Sequence, residues 1–162
     1  MTDDVTIAPA VVADAGEILT VQRAAYLVEA QRYRDVFLPP LTETLDEVRA
    51  ALAGPVVVLA ARRGTRLVGS VRARLDGDTA HVGRLAVAPD QQGRGIGGRL
   101  LAAVEHACVG RVARFALFTG AQSADNLGLY ARRGYRVVAH RPDENGNRLA
   151  ILEKVNAPRS DA

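Results

Sequence analysis

The sequence predicts an α+β fold, an α/β/α three-layer arrangement around a mixed sheet, with elements in the order β α α β β β α β α β β. Three observations carry this reading. Apolar segments at 56–61, 67–75 and 80–87 are separated by the turn signals Arg63-Gly64-Thr65 and Asp76-Gly77, the pattern of an antiparallel meander. Pro89 ends that ladder, because a proline cannot donate to it. A glycine-rich turn then opens a helix, and strands alternate with helices to the end of the chain. A meander feeding such a half excludes a doubly wound parallel sheet.

The elements follow in order. Residues 6–8 read as a short strand. A helix is predicted over 14–30, with Asp14 as N-cap and Glu17 three residues on, the capping-box spacing. Ile18, Val21, Ala25 and Val28 give that helix one apolar face. Residues 31–41 are polar and aromatic, end in Pro39-Pro40, and read as a loop. A second helix over 42–52 is stopped by Gly54-Pro55. Beyond the meander, Ile96, Leu100, Val104 and Cys108 recur every four residues and place a helix over 95–109. Residues 115–119 form a strand. A helix over 123–133 follows, with Ser123 as N-cap and Gly134 as its left-handed close. Strands over 135–140 and 149–155 are joined through Asn145-Gly146, a hairpin signal. The polar tail 156–162 reads as a frayed end.

Length and composition narrow the function classes. A chain of 162 residues suits one domain over 1–162, and 48% hydrophobic residues suffice for a core. The longest apolar stretch, 56–61, is too short to span a membrane. Met1-Thr-Asp-Asp lacks the basic start of a signal peptide. Cys108 is the only cysteine, so no intramolecular disulfide forms. A cytoplasmic protein without a membrane partner fits all of this. The net charge is +3 and the pI about 9.5, too small a surplus to argue for nucleic acid. Lys154 is the only lysine. The scattered arginines read chiefly as coding bias of a GC-rich genome, with an anion-binding surface as the other reading. His106, His140 and Cys108 are dispersed and lack ligand spacing, so no metal is expected.

The chemistry is concentrated in Val87-Ala-Pro-Asp-Gln-Gln-Gly-Arg-Gly-Ile-Gly-Gly98, between a strand and a helix. Gly93, Gly95, Gly97 and Gly98 let backbone N–H groups converge, and the helix N-terminus adds partial positive charge, so the turn favours a phosphate. Arg94 and Arg99 can add charge-assisted contacts. Gly93-x-Gly95-x-x-Gly98 also satisfies the dinucleotide fingerprint GxGxxG, a weak signal alone. A dinucleotide site is disfavoured here. The turn follows a meander, four residues separate strand and first glycine, and no acid ends the next strand to hold a ribose. A Walker A loop fails for want of Gly-Lys-Ser/Thr.

Gln92-Gly93-Arg94-Gly95-Ile96-Gly97 matches Gln/Arg-x-x-Gly-x-Gly/Ala, and Asn126 and Tyr130 precede the pair Gly134-Tyr135. In both signatures, and in Leu85-Ala86-Val87-Ala88-Pro89 ahead of the first, the sequence resembles the GCN5-related N-acetyltransferase (GNAT) family, strongly over 56–155. The resemblance implies acetyl-CoA as cosubstrate, bound between the strand ending at Val87 and the one beginning near Arg114. Leu85, Ala86 and Val87 would offer a strand edge to the pantetheine, with the Val87 N–H on the thioester oxygen. Gln92, Gly93, Arg94, Gly95, Ile96, Gly97 and Gly98 would form the pyrophosphate turn, and Asn126 would bind the pantetheine arm. Tyr130, one helical turn beyond Asn126 and on the same face, would protonate the departing thiolate. Family members often carry a glutamate on the strand before the turn, and here that strand, 80–87, has no carboxylate. His81, with an intrinsic pKa of ~6.5, and Glu29 are the candidate bases. The acceptor, a small-molecule or protein amine, would sit against residues 26–42 and Glu43, where Glu29, Tyr33, Glu43 and the Pro39-Pro40 corner are candidates and an acidic group can bind an ammonium. A homodimer is compatible with the family. Two further readings stand beside the enzyme: a CoA-binding module of the same fold without turnover, and a nicotinamide-dependent oxidoreductase.

Overall fold

Apolar residues on alternate positions of one continuous sheet divide the core into two faces. The computed structural model describes residues 4–156. Seven strands, β1 (Val5–Pro9), β2 (Val57–Arg63), β3 (Arg66–Asp76), β4 (Thr79–Val87), β5 (Arg114–Gly120), β6 (Arg136–Pro142) and β7 (Arg148–Val155), lie in the order β1-β2-β3-β4-β5-β7-β6. Val68, Val71, Ala73, Ala80, Val82, Phe115, Leu117 and Leu152 bury one face beneath α4 (Ile96–Ala107) and α5 (Ala124–Arg132). Val58, Ala60, Leu67 and Ala86 bury the other beneath α1 (Ala15–Tyr33) and α3 (Leu45–Ala53). This is the expected three-layer arrangement, with the meander as read and β4–β5 the only parallel pair among the described residues. Among the described residues no helix is long and apolar enough to cross a membrane.

Several local expectations are corrected. Asp14 does not cap α1: its backbone is already helical (φ −82°, ψ −6°), so its carboxylate turns back to the Val11 N–H and across to Arg62. Glu17 accepts from the Leu67 N–H rather than closing a box. The capping box belongs to α3, where Thr44 and Glu47 bond each other's N–H at 3.2 and 3.0 Å. Pro39-Pro40 begins a single helical turn, α2 (Pro39–Thr42), instead of ending a loop, because a first-turn proline has no N–H to lose. Helix α1 runs on to Tyr33, and Arg34 closes it at φ 50°. Ser123 makes no side-chain cap; its hydroxyl serves the cleft. Asn156, assigned to the frayed tail, is fastened by N–H and Nδ2 to the carbonyls of Ala113 and Val112, each at 2.9 Å. The rest of that tail, 157–162, lies outside the described residues.

The feature that shapes the cleft is a bulge in β4. Ser70 pairs with Ala86, and Arg72 with Gly83, so Arg84 and Leu85 together face the single residue Val71. Arg84 adopts φ 52°, left-handed backbone that a residue with a Cβ rarely takes. The inserted residue shifts the alternation: Ala80 and Val82 face α4 before it, Leu85 and Val87 after it. Strand β4 pairs with β5 only through residues 79–81 against 114–116, whereas β5 continues along β7 to Gly120.

Glu43, between α2 and α3, ties the α1 side to the sheet. Its carboxylate accepts both terminal nitrogens of Arg72 (2.9 and 2.6 Å), the Gln22 amide (3.0 Å) and, more loosely, the Arg84 Nε (3.5 Å). Burial alone would raise its pKa, but the hydrogen bonds of Arg72 and Gln22 and the charges of Arg72 and Arg84 outweigh it and hold the group at about 2, from an ordinary 4.5.

Two predictions follow from the packing. Gly69 lies where a Cβ would come within 2.9 Å of the Ala86 carbonyl and of Leu100, so Gly69→Ala should destabilise by about 1–3 kcal/mol through overpacking under α4; an unshifted urea midpoint would contradict this. Glu43 has a folded pKa below its unfolded value, so its contribution is complete above about pH 4.5 and is lost as pH falls toward 2. The loss should reach roughly 3 kcal/mol. Urea titrations at stepped pH should show that decline in the native chain and a flatter curve in Glu43→Gln.

Candidate active site

Where β4 and β5 part, the backbone edge of β4 is left open. The Ala88 N–H bonds to Val68 of β3 at 2.8 Å. Because successive peptide groups alternate in direction, the polar groups of Val87 and Leu85 face the opening instead. The Val87 carbonyl there accepts from the Gln92 side chain at 3.1 Å, which folds the glycine turn back over the end of the strand. The opening deepens into a cavity of about 1540 Å³ bounded by α1, β4, the glycine turn, β5 and α5.

The glycine turn stands at one end of this cavity. Gly93 and Gly95 take φ 79° and 80°, and Gly95 is the residue from which α4 starts. The Arg99 N–H, bonded to the Gly95 carbonyl at 3.1 Å, is the first amide of the helix with a partner. The amides of residues 93 to 98 find no acceptor among the described residues. A row of free N–H groups at a helix N-terminus is an anion cradle. Gln92, Gly93, Gly95, Ile96, Gly97 and Gly98 border the cavity, and Arg94 is exposed beyond it. Leu85 and Val87 also border it, whereas the Ala86 side chain points into the opposite core.

Across the cleft, α5 presents Asn126 and Tyr130 one turn apart. Asn126 Nδ2 donates to Thr119 at 3.3 Å, leaving its carbonyl without a partner among the described residues. The Tyr130 ring is 8% exposed and packs edge-on against Tyr135 at 6.0 Å. Tyr135 is fixed in turn by its hydroxyl on Glu105 (2.9 Å), which Lys154 also holds (2.7 Å). Burial, with smaller pushes from Tyr26 and Glu29, carries the Tyr130 phenol well above its usual range. Its hydroxyl has no hydrogen-bond partner among the described residues, and Tyr130 lines the cavity.

The other end of the cavity is built by α1 and the loops facing it. Glu29 accepts from Ser123 Oγ at 2.5 Å and pairs with Arg32 at 2.7 Å. Ser123, fully buried, thereby leaves its oxygen to accept from the Tyr33 hydroxyl at 2.8 Å, and Tyr33 accepts the Gln122 N–H at 2.9 Å. Tyr33 crosses so close to Gly120 that a Cβ there would overlap its hydroxyl end, so a larger residue would have to displace the Tyr33 side chain. Asp35 accepts from Asn145 and Asn147 of the β6–β7 hairpin, each at 2.9 Å. Thus the end of α1 is bonded to both facing loops. His81 sits at the fork, opposite Ala116, exposed and bordering the cavity.

Among the acceptor-side candidates, Glu29, Tyr33 and the Pro39-Pro40 corner border the cavity. Glu43 does not, and its carboxylate is engaged with Arg72, Gln22 and Arg84. The sequence reading missed Arg72, Arg84 and Ser123 as cleft residues. The bulge that brings Arg84 in had a signal, the one-residue break in alternation between Ala80/Val82 and Leu85/Val87.

The chain matches the profile of the Acetyltransferase (GNAT) family over residues 23–135. No curated protein matches it. Among solved structures it is similar to the ribosomal-protein-S18-alanine N-acetyltransferase of Escherichia coli, with TM-score 0.79 and 18% identity over 98% of this chain and 97% of that one. It is also similar to the PaiA N-acetyltransferase of Thermoplasma acidophilum in complex with coenzyme A (TM-score 0.77, 16% identity, 94% and 99% covered). YncA of Salmonella typhimurium, solved with acetyl-CoA, gives TM-score 0.76 at 19% identity, with 98% of each chain covered. The family profile spans the α1 side, the meander, the glycine turn and α5 together, and on that match the chain belongs to the GNAT acetyltransferase family.

Proposed function

We propose that the chain transfers an acetyl group from acetyl-CoA to a primary amine by direct attack within a ternary complex. The observation that carries this is the open edge of β4, which leads to six amides without an acceptor among the described residues and shares its cavity with Tyr130. Two neighbours of the same fold are coenzyme A or acetyl-CoA complexes.

Acetyl-CoA, when bound, supplies the thioester to be attacked. The amides of residues 93–98 hold its pyrophosphate, with the exposed Arg94 as a cation at the rim. Leu85 and Val87 bind the pantetheine as a neighbouring strand would, and the Asn126 carbonyl accepts from its amide. The Val87 N–H donates to the thioester oxygen as charge builds there. Glu29, fixed by Ser123 and Arg32, draws the acceptor's ammonium group and takes its proton. It is preferred to His81 because it lies within electrostatic range of Tyr130, while His81 stands at the exposed fork.

Tyr130 gives its proton to the departing sulfur. Its raised pKa has a clear consequence: the phenol stays protonated, and so competent as a donor, well past the pH where an ordinary tyrosine of pKa about 10 ionises. The same desolvation raises the proton affinity of the thiolate, so the transfer is not lost to the weaker acid.

Steady-state release of CoA against a panel of amines tests the proposal. Tyr130→Phe should lower kcat about 10²-fold with acetyl-CoA binding retained, the size of a lost general acid. An unchanged kcat would assign that role elsewhere. The pH profile of kcat/KM should rise as the amine loses its proton and then stay level through pH 10; a fall near pH 10 would mean that Tyr130 titrates normally.

A further inference from the structure

We infer that the acceptor is a small amine that carries a carboxylate, held by Arg84 through that carboxylate while Glu29 faces its ammonium group. The inference rests on the amine transfer proposed above and adds the substrate class.

Charge balance on the cavity floor points to an anion. Arg72 and Arg84 share one carboxylate, Glu43, so a positive charge is left over. Arg72 commits both terminal nitrogens to it. Arg84 reaches it only with Nε, at 3.5 Å, and its terminal nitrogens have no partner among the described residues. Its side chain is 24% exposed and lines the cavity. A guanidinium with a free pair of donors matches a carboxylate bidentately. The backbone is arranged to put it there: Arg84 is the left-handed residue of the bulge, and it immediately precedes the open edge of Leu85 to Val87.

The opposite pole lies nearby. Tyr26, one turn before Glu29 on α1, borders the same cavity as Arg84 and Glu29. Its hydroxyl has no hydrogen-bond partner among the described residues. The cavity lining therefore includes the Arg84 guanidinium, the Tyr26 hydroxyl and the Glu29 carboxylate, which Arg32 partly neutralises, and these groups suit a ligand that carries a carboxylate and an ammonium. Size follows from the roof. Tyr33 on Ser123 and Asp35 on Asn145 and Asn147 join α1 to both facing loops. These ties narrow the α1 side of the cavity and favour a small amino carboxylate over an extended polypeptide.

The test compares the common amino acids with their carboxamides, with aminomethylphosphonic acid, and with spermidine, as acceptors in CoA-release assays. Calorimetric binding to the CoA complex gives the same comparison without turnover. Removing one charge-assisted pair should cost about 10- to 100-fold. At least one amino acid should exceed its carboxamide by that factor, and Arg84→Gln should erase the difference while leaving acetyl-CoA binding unchanged. Arg84→Lys should restore part of it, separating recognition from a folding defect. A preference for spermidine or for carboxamides overturns the inference, as does an Arg84→Gln loss equal for all amines or an absence of binding by every amino acid. A preference for the phosphonate over every carboxylate overturns it too, by naming a different anion. Carboxylate-selective binding without turnover would sink the transfer reading and leave the inference about the ligand standing.

Discussion

The geometry of the proposed site depends on β4 and β5 pairing for three residues and then separating. A parallel pair is held by regularly spaced hydrogen bonds, and it parts where one strand changes direction. Here the change comes from the bulge at Arg84 and Leu85, which bends β4 away while β5 keeps its partner in β7. The cost is a left-handed arginine, of order 1–3 kcal/mol. In return the sheet acquires an open edge in its interior, where the walls on both sides are already rigid.

The same bend fixes the surroundings of that edge. Gln92 reaches back to the Val87 carbonyl, so the glycine turn is registered to the strand end and α4 starts with its free amides toward the cleft. On the far wall, Tyr130 is held by core packing and by Tyr135, which Glu105 and Lys154 fix in place. The donor side is thus built of backbone and of one buried aromatic pair. Such groups need no reorganisation when charge develops beside them.

How much of this was legible in the sequence depended on how local each device is. The glycine turn, the meander turns and the Asn126/Tyr130 spacing are encoded within a few residues, and all emerged in the expected places in the chain. Asp14 and Ser123 look like helix caps by the same local logic, yet their side chains were taken by Arg62 and by Glu29 and Tyr33, partners 48, 94 and 90 residues away. A short polar side chain can cap a helix or make a tertiary bond, and which one wins is decided by what the fold brings near it. Pro39-Pro40 was ambiguous for a different reason, since proline both ends helices and begins them. The bulge lies between these extremes: the broken alternation of β4 is visible in sequence, but its meaning depends on a neighbour strand that keeps going.

The acceptor side is the opposite case, and the reason is physical. It is assembled from α1, the α2–α3 connection, β3, β4 and the two loops beyond β5 and β6, and its chemistry turns on how charges on these segments are shared. Glu43 illustrates it. Read alone, an acid in this stretch suggests a site for an ammonium group. In the structure its negative charge is used up by two arginines, and the imbalance left behind has the opposite sign. A single substitution of Glu43, Arg72 or Arg84 would change that balance without disturbing the glycine turn or the edge of β4. On the proposed reading, in which backbone holds the donor and a few shared charges hold the acceptor, one chemistry can stay constant while the second substrate changes.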